Sequence, residues 1–334
     1  MAVLIVNGAE VRRLLPMSEC MTVMADALAA LSRGDAMVPL RQIMWLPERV
    51  GALGLMPSHA AHIHAMGVKV VSVFPGNHGT PYDAHQGAVL VFETTHGQLC
   101  AMVDASAITA IRTAAVSGVA TQQLARPDAQ SLAILGSGVQ AATHLDAMMA
   151  ARSITTARVW SRDIARAQHF ATRAAGRHGI AVTACVTVEE AVRDADIICT
   201  TTAARTPVLF GEWIAPGTHV NAVGSSVAFT RELDTRAVRE ARLFVDRRES
   251  TLNEAGDFLF PKQEGAIGDD HIVGEIGELL MGTVAGRQNS REITLFKSLG
   301  LAVEDVAAAH YVYDKAMQAG VGVTVELGGT RDDD

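Results

Sequence analysis

The segment at residues 131–151 constrains the fold of this chain more than any other. An apolar run at residues 131–135 leads directly into the sequence GSGVQA at residues 136–141, and an alanine-rich stretch follows to residue 151. A strand, a GxGxxA loop and a helix in this order are typical of a dinucleotide-binding βαβ unit, because the glycines let the backbone approach a pyrophosphate and the helix N-terminus offers free N–H groups. A glycine turn that serves only the packing of a helix against a sheet is the alternative.

Short apolar runs continue to alternate with alanine-rich amphipathic stretches to about residue 246. Their connections have the lengths that parallel strands joined by crossover helices allow. We therefore predict an α/β fold with a Rossmann-type, doubly wound parallel sheet, the dinucleotide-binding domain, at residues 119–304. The second expected strand ends at residue 160. The later ones lie at residues 181–185, 196–199, 218–223 and 243–245, and the expected helices at residues 163–175 and 188–192.

The first hundred residues have a different pattern, with turns of hairpin length such as His96-Gly97 between strand-like runs. A long helix at residues 105–124 is expected to lead into the nucleotide half. A final helix at residues 303–317 is expected to return to the first domain, because the parallel sheet is complete by then. We predict a mixed α+β domain of residues 1–118 with 305–334. Its expected elements are a helix at residues 19–31 and strands at residues 38–46, 52–56, 67–74, 88–93 and 98–103.

The end of the second strand of the parallel sheet bears on which dinucleotide binds. An acidic residue there accepts hydrogen bonds from the ribose 2'-hydroxyl of NADH, whereas an arginine accommodates the 2'-phosphate of NADPH. The residues here are Trp160, Ser161 and Arg162. We therefore expect NADPH or NADH as cofactor and favour NADPH, while Asp163 keeps NADH open and Arg162 could equally be a solvated surface charge.

The charge balance and the cysteines argue against several classes of protein. The chain carries 28 Lys and Arg against 36 Asp and Glu, a net charge of -8, and lacks the basic stripe that binds nucleic acid. Its four cysteines form no CxxC pair, which is typical of reduced thiols and argues against a zinc site. With neither a secretory leader nor an apolar run long enough for a bilayer, we expect no membrane partner and a cytoplasmic location.

Five motifs are distinctive when taken together: ITAIRTAA at residues 108–115, GSGVQA at 136–141, FGEW at 210–213, NAVG at 221–224 and FKSLG at 296–300. They resemble the ornithine cyclodeaminase/mu-crystallin family, over nearly all of residues 1–318 and most closely its mu-crystallin (ketimine reductase) branch. The resemblance implies a homodimer formed through the mixed sheet of the first domain, which would also bind the substrate.

The resemblance also implies a basic cluster for a substrate carboxylate at Arg41, Lys69 and Arg112. An arginine offers a planar fork that matches a carboxylate, and a lysine offers a mobile charge with a titratable proton. We expect Arg41 and Arg112 to bind the carboxylate and Lys69 to supply or order the proton, with Lys69 and Arg112 as the catalytic residues. Taken singly, Arg41 and Arg112 could be surface charges and Lys69 an edge-strand charge, although the apolar residues around Arg112 indicate burial, which requires a partner.

Further residues are assigned through the resemblance. His85 matches a cofactor contact and could instead relay a proton or be a packed loop residue, and Glu254 matches a substrate-pocket contact or is a surface carboxylate at a helix end. The HxxHxH spacing at residues 59–64 lacks partner carboxylates and thiols, so we expect no metal. The implied cofactor contacts, besides His85, are Arg112, Thr113, Gly136, Ser137, Gly138, Val139, Gln140, Ser161, Arg162, Thr202, Val223 and Ser298.

Two positions depart from the cyclodeaminases of the family, which carry a catalytic Asp and a Glu where this chain has Ser226 and Gly54. A cofactor and a carboxylate clamp remain, and these suffice for hydride transfer to an imine carbon next to a carboxylate. We therefore expect an NAD(P)H-dependent reductase of a cyclic ketimine, of iminosuccinate, or of the imine in an amino-acid dehydrogenase reaction, giving an L-amino acid. The alternatives are an ammonia-releasing cyclodeaminase and a non-catalytic, crystallin-like protein that binds NADPH and a small ligand.

Overall fold

The computed structural model describes residues 2–77 and 80–329. Two compact units make up the chain: Met1–Arg112 with Leu301–Asp334, and Thr113–Gly300. The sequence placed these boundaries at 118/119 and 304/305. The observed division falls inside one helix and before the last one.

The described elements follow the chain in a regular order. The helices are α1 (Gly8–Leu14), α2 (Met17–Arg33), α3 (Ala105–Leu124), α4 (Val139–Ala151), α5 (Ile164–His178), α6 (Val188–Val192), α7 (Thr235–Arg239), α8 (Arg248–Glu254), α9 (Gly256–Gln263), α10 (Ile276–Leu280) and α11 (Ala302–Ala319). The strands are β1 (Ala2–Val6), β2 (Ala36–Met37), β3 (Gln42–Trp45), β4 (Ala52–Ala60), β5 (Ala65–Val73), β6 (His85–Glu93), β7 (Leu99–Asp104), β8 (Ser131–Leu135), β9 (Thr156–Trp160), β10 (Ala181–Cys185), β11 (Ile197–Thr200), β12 (His219–Ala222), β13 (Arg242–Val245), β14 (Ile272–Glu275), β15 (Thr294–Lys297) and β16 (Val323–Glu326).

The first unit contains a mixed sheet in the order β16-β1-β7-β6-β5-β4-β2, with β3 also paired to β4. All its strand pairs are antiparallel except β1 with β7. Helix α11 packs on β4, β5 and β6 and on α2. Gly67 permits this packing, because a Cβ there would lie 2.5 Å from the Leu90 oxygen and 2.9 Å from a Val306 methyl.

Sequence analysis missed β1, β2 and β16 of this sheet, and two of its predicted strands have different limits next to Pro39 and Pro57. Of the strand expected at residues 38–46, only β3 (Gln42–Trp45) is present; the short strand β2 lies before that range, and the segment between β2 and β3 contains Pro39. Strand β4 extends past Met56 to Ala60, although Pro57 has no N–H to donate. It tolerates Pro57 because β3 pairs only up to Leu55 and β2 only from His59 onward.

The second unit is a parallel sheet in the order β10-β9-β8-β11-β12-β15-β13-β14. The strand order reverses between β8 and β11, as in doubly wound dinucleotide-binding sheets, so the predicted α/β class is confirmed. Sequence analysis missed β15, which lies between β12 and β13, and β14 at the edge. Both have only four residues.

Alanines let the helices lie close to this sheet. Ala133 and Ala222 on its strands and Ala191 and Ala237 on its helices are buried in one apolar cluster. Cys20, Cys185 and Cys199 are free, buried thiols, whereas the free thiol of Cys100 is only half-buried. Among the described residues no individual helix meets the length and hydropathy needed to cross a bilayer, and the sharply bent pair α1 and α2 meets them only when its two helices are taken together.

Candidate functional site

The glycine loop of the second unit begins where β8 ends. Gly136 has a φ of +114°, and a Cβ at this position would lie 2.8 Å from both the backbone oxygen and the Oγ1 of Thr201. Its N–H donates to the Trp160 oxygen at 2.8 Å, which ties the turn to the end of the neighbouring strand β9. Only glycine satisfies this backbone conformation and this close approach.

The second glycine of the loop leaves room for a ligand. Gly138 is the N-cap of α4 and has no side chain to satisfy the first N–H groups of that helix. A Cβ built on Gly138 would have no neighbour within 4 Å among the described residues. Ala141, the last residue of the motif, is fully buried where the helix packs on the sheet. An exposed, uncapped helix N-terminus beside a strand end fits a pyrophosphate group.

The end of β9 lies next to this loop, since Leu135 pairs with Trp160. Ser161 is half-buried and Arg162 exposed. The Oδ1 of Asp163 accepts the Ala165 N–H at 2.9 Å as the N-cap of α5, and its Oδ2 lies 3.6 Å from Arg166 Nε. Asp163 is therefore engaged with its own helix.

Other expected cofactor contacts follow the ends of neighbouring strands. Val223 and Ser298 come directly after β12 and β15, and Thr202 is the second residue after β11, at the same sheet edge as Gly136. Parallel strands bring these positions together because their carboxyl ends share an edge. Sequence analysis missed three buried charged residues behind this edge, Glu232, Asp257 and Lys297.

The first unit holds a cluster of buried charges. Lys69 and Arg112, each only 3% exposed, contact two carboxylates in the first turn of α11. Lys69 Nζ lies 2.7 Å from Asp305 Oδ2, and Arg112 Nε lies 2.8 Å from Asp305 Oδ1. Arg112 Nη1 lies 2.7 Å from Glu304 Oε2. Asp305 thus bridges the two cations.

Burial of Lys69 and Arg112 rules out their alternative interpretations. Lys69 is in the centre of the sheet, because its strand β5 pairs with β4 on one side and β6 on the other. It is not an edge-strand charge, and Arg112 is not a surface charge. The partner that burial of Arg112 required is a pair of acids, Glu304 and Asp305, which sequence analysis missed. Two carboxylates within the apolar stretch at residues 299–309 were the available signal.

The environment of Lys69 changes its acidity. Burial lowers the pKa of its ammonium to about 8, helped by the positive charges of Arg112 and Arg41 and opposed by Asp305. Burial also disfavours the charge of Arg112, but Asp305 and Glu304 outweigh it and raise the pKa of the guanidinium. Arg41, half-buried between β2 and β3, is thus close enough to act on Lys69.

The charges in this cluster do not cancel. Arg41, Lys69 and Arg112 supply three positive charges when protonated, and Glu304 and Asp305 supply two negative ones. The resulting net charge of about +1 suits a monoanionic carboxylate. A lysine with a pKa near neutrality can also give up or take a proton.

The remaining predicted residues are more scattered. His85 is exposed at the start of β6, and its backbone oxygen accepts a hydrogen bond from Ser106 Oγ at 2.5 Å. Thr113 is buried on α3 in the second unit, and Glu254 is half-buried at the end of α8. Gly54 lies on β4 on the face that carries Lys69. Within the described ranges, the histidines at residues 59–64 join no cluster of metal-ligating groups.

A family model described as the ornithine cyclodeaminase/mu-crystallin family matches residues 2–320. The chain belongs to this family. Ketimine reductase mu-crystallin of Mus musculus is 42% identical over 291 residues, which cover 86% of this chain and 89% of the mouse protein.

Two solved structures extend the comparison. Delta(1)-pyrroline-2-carboxylate reductase of Thermococcus litoralis, in complex with NADH and L-proline, is 39% identical, with a TM-score of 0.94 over 97% of this chain and 100% of the other. An archaeal alanine dehydrogenase dimer with bound NAD is 30% identical, with a TM-score of 0.93 over 98% of this chain and 100% of the other. The resemblance noted in the sequence is confirmed.

Proposed function

We propose that this chain is an NAD(P)H-dependent oxidoreductase that reduces an imine next to a carboxylate and releases an L-amino acid. The observation that carries the proposal is the buried cluster in which Lys69, with a pKa of about 8, lies beside two arginine charges. The dinucleotide loop at Gly136 and Gly138 and the reductase relatives support the same conclusion.

The reaction needs a hydride, a proton and a fixed substrate. When bound, the reduced nicotinamide supplies the hydride to the imine carbon. Arg112 and Arg41 bind the substrate carboxylate through charge-assisted hydrogen bonds, which fixes the imine carbon in place. Lys69 donates or orders the proton on the imine nitrogen, which keeps the substrate as the more electrophilic iminium. Glu304 and Asp305 hold both cations in position without cancelling the net positive charge.

Cyclic ketimines are the proposed substrates, since the mouse relative is a ketimine reductase and the Thermococcus litoralis relative a Delta(1)-pyrroline-2-carboxylate reductase. A panel of pyrroline-2-carboxylate, piperideine-2-carboxylate, iminosuccinate, and pyruvate with ammonia tests this choice. We expect the highest kcat/KM for a cyclic ketimine. A higher value for iminosuccinate or for pyruvate with ammonia would contradict it.

The lyase alternative is less well supported. Deaminative ring closure needs carboxylates to manage the second amine and the water, and the positions expected for them are Gly54 and Ser226. On this proposal, ornithine is not converted to proline. The non-catalytic alternative is also less well supported, because it gives no catalytic reason for burying Lys69 and Arg112 beside Asp305.

NADPH is the proposed preferred cofactor. Asp163, the acidic residue closest to the end of β9, already caps α5. Arg162 is exposed beside the glycine loop. Replacing Arg162 with Ala is expected to lower kcat/KM for NADPH about tenfold and to leave that for NADH nearly unchanged. Equal losses with both cofactors, or a wild-type preference for NADH, would refute the assignment.

A homodimer through the mixed sheet, in the cytoplasm, completes the proposal. The sheet face opposite α11 leaves Leu55, Met66 and Met102 each more than a third exposed, which is typical of a surface that another chain covers. The archaeal alanine dehydrogenase is a dimer. Light scattering is expected to give twice the chain mass of 35.3 kDa, and a monomer mass would contradict the dimer.

A further inference from the structure

A fully buried carboxylate, that of Glu232, organises the carboxyl ends of two strands in the second unit. Its Oε1 accepts the N–H and the Oγ1 hydroxyl of Thr202, each at 2.7 Å. Its Oε2 accepts the Thr200 hydroxyl and the Gly224 N–H, also at 2.7 Å. Glu232 lies in the loop between β12 and α7, so this side chain joins the start of its own loop, at Gly224, to the end of β11, about 30 residues earlier.

A second layer of charge fixes Glu232 itself. The Oδ1 of buried Asp257 accepts the N–H groups of Glu232 at 2.8 Å and of Leu233 at 3.0 Å. The Oδ2 of Asp257 lies 2.9 Å from Lys297 Nζ. That ammonium also donates to the backbone oxygens of Ser225 at 2.5 Å and Ala222 at 3.2 Å. The network therefore connects the ends of β11, β12 and β15.

Burying this network is costly, so a structural gain has to offset it. Burial, together with the nearby Asp257, raises the pKa of Glu232, whereas its hydrogen bonds to Thr202 and Thr200 and the charge of Lys297 oppose that rise. Glu232 and Asp257 carry two negative charges against the one positive charge of Lys297, and backbone and hydroxyl donors compensate the excess. Apolar residues would pack these loops at lower cost. They would not fix backbone N–H groups in place as a carboxylate does.

The fixed segments lie in the half of the sheet that remains for the nicotinamide. A doubly wound sheet binds a dinucleotide across the point where its strand order reverses, with one mononucleotide of the cofactor on each side. The glycine loop and the end of β9 belong to the β8–β10 half, which takes the adenosine part. The β11, β12 and β15 half is then left for the nicotinamide part. Gly224 is exposed at this edge, and a Cβ there would lie 2.1 Å from the Thr202 oxygen, so the two loops touch where Glu232 binds both.

We propose that Glu232 is a positioning residue for the nicotinamide half of the cofactor, acting by holding Thr202 and Gly224 in the arrangement that receives it. This inference rests on the proposed function, because it presumes a bound nicotinamide dinucleotide. Asp257 and Lys297 support Glu232 from behind. The adenosine half depends on the glycine loop and not on this network.

The test compares each cofactor with the same molecule lacking nicotinamide. Binding of NADPH and of 2'-phospho-ADP-ribose, or of NADH and ADP-ribose if NADH binds more tightly, is measured by calorimetry for the wild type and Glu232→Gln. In Glu232→Gln an NH2 group replaces one carboxylate oxygen and faces the donors of Thr202, or those of Thr200 and Gly224. We therefore expect dinucleotide affinity to fall about 10- to 100-fold. Affinity for the nicotinamide-free analogue is expected to stay within about twofold of wild type.

Asp196 offers a matched control at the opposite edge of the sheet. Its carboxylate also accepts several donors, including the N–H groups of Gln130 and Ser131 at 2.9 Å each and a contact from Arg126. Asp196→Asn removes a comparable network ahead of β11, and we expect it to leave the ratio of the two affinities unchanged. A ratio altered as much as in Glu232→Gln would overturn the proposal.

A gentler variant covers the case in which Glu232→Gln does not fold. Thr200→Val removes one donor to Glu232 and leaves the carboxylate in place. It should weaken dinucleotide binding about threefold to tenfold without changing analogue binding. Unchanged dinucleotide binding, or equal losses for both ligands, would contradict the positioning role. Failure of the wild type to bind either dinucleotide would instead contradict the proposed function, so the two failures are distinguishable.

Discussion

The pKa of Lys69 is unusually low mainly because its side chain is buried, and the charges of Arg112 and Arg41 add to the effect. Asp305 stabilises its charge, while burial and the charges of Arg112 and Arg41 destabilise it, and the balance places its pKa at about 8. Sequence analysis found the three basic residues only through the family resemblance, since each alone has an ordinary interpretation. The apolar residues around Glu304 and Asp305 indicate that both acids are buried, but no local pattern shows that they contact Arg112, which lies 192 residues before Glu304.

The acidity of Lys69 predicts the pH dependence of turnover. Below about pH 8 Lys69 is mainly the ammonium, and above it mainly the neutral amine, so kcat/KM should fall as the pH rises through about 8. Lys69→Arg carries a charge that does not titrate in this range, so its slower reaction should lose that alkaline decline. A decline of the same midpoint in Lys69→Arg would assign it to another group, such as the substrate imine.

Asp305 should contribute to stability more than an exposed acid does. Asp305→Asn removes the negative charge that Lys69 and Arg112 share, so their buried positive charges are less well neutralised. We expect it to lower the free energy of unfolding by about 3–5 kcal/mol. Asp35→Asn is the control, because its ion pair with Arg33 is about half exposed and should contribute only about 0–1 kcal/mol. Urea denaturation measures both, and similar losses would show that the Asp305 bridge is not special.

Elements were predictable where the sequence alternates regularly. Strands β8 and β10 and helices α3 and α6 match the predicted limits, because apolar runs and amphipathic stretches repeat there at regular intervals. The later part of the parallel sheet was harder. Strand β15 ends in a buried lysine, Lys297, which in sequence looks like a strand boundary or a surface residue. Its position between β12 and β13 depends on long-range pairing that no local pattern encodes.

The two glycines of the dinucleotide loop make different predictions. Gly136→Ala places a Cβ at positive φ against Thr201 and should destabilise the protein by about 1–3 kcal/mol. Gly138 has an ordinary φ of -88° and open space around it, so Gly138→Ala should change stability by about 1 kcal/mol or less. It should nevertheless weaken cofactor binding about tenfold, because the methyl group occupies space meant for phosphate. Thermal melts and calorimetry on both variants decide this, and unimpaired binding by Gly138→Ala would contradict a phosphate at that site.

At the scale of the whole molecule, an acidic chain contains a locally positive site. The net charge is -8, yet the cluster around Lys69 carries about one positive charge. With aromatic residues at only 4% of the chain, we expect selection of a small acidic substrate to depend mainly on charge. The first unit contains the basic cluster, and the second contains a sheet edge and a glycine loop typical of a dinucleotide site.

The stoichiometry of a single reaction tests imine reduction most directly. The wild-type protein is incubated with NADPH and pyrroline-2-carboxylate, and oxidised cofactor and amino acid are measured together. We predict one L-proline formed for each cofactor oxidised, with turnover lowered about 100-fold or more in Lys69→Met while its cofactor affinity stays unchanged. Conversion of ornithine to proline and ammonia without net cofactor oxidation, or tight cofactor binding with no turnover of any imine, would contradict the account.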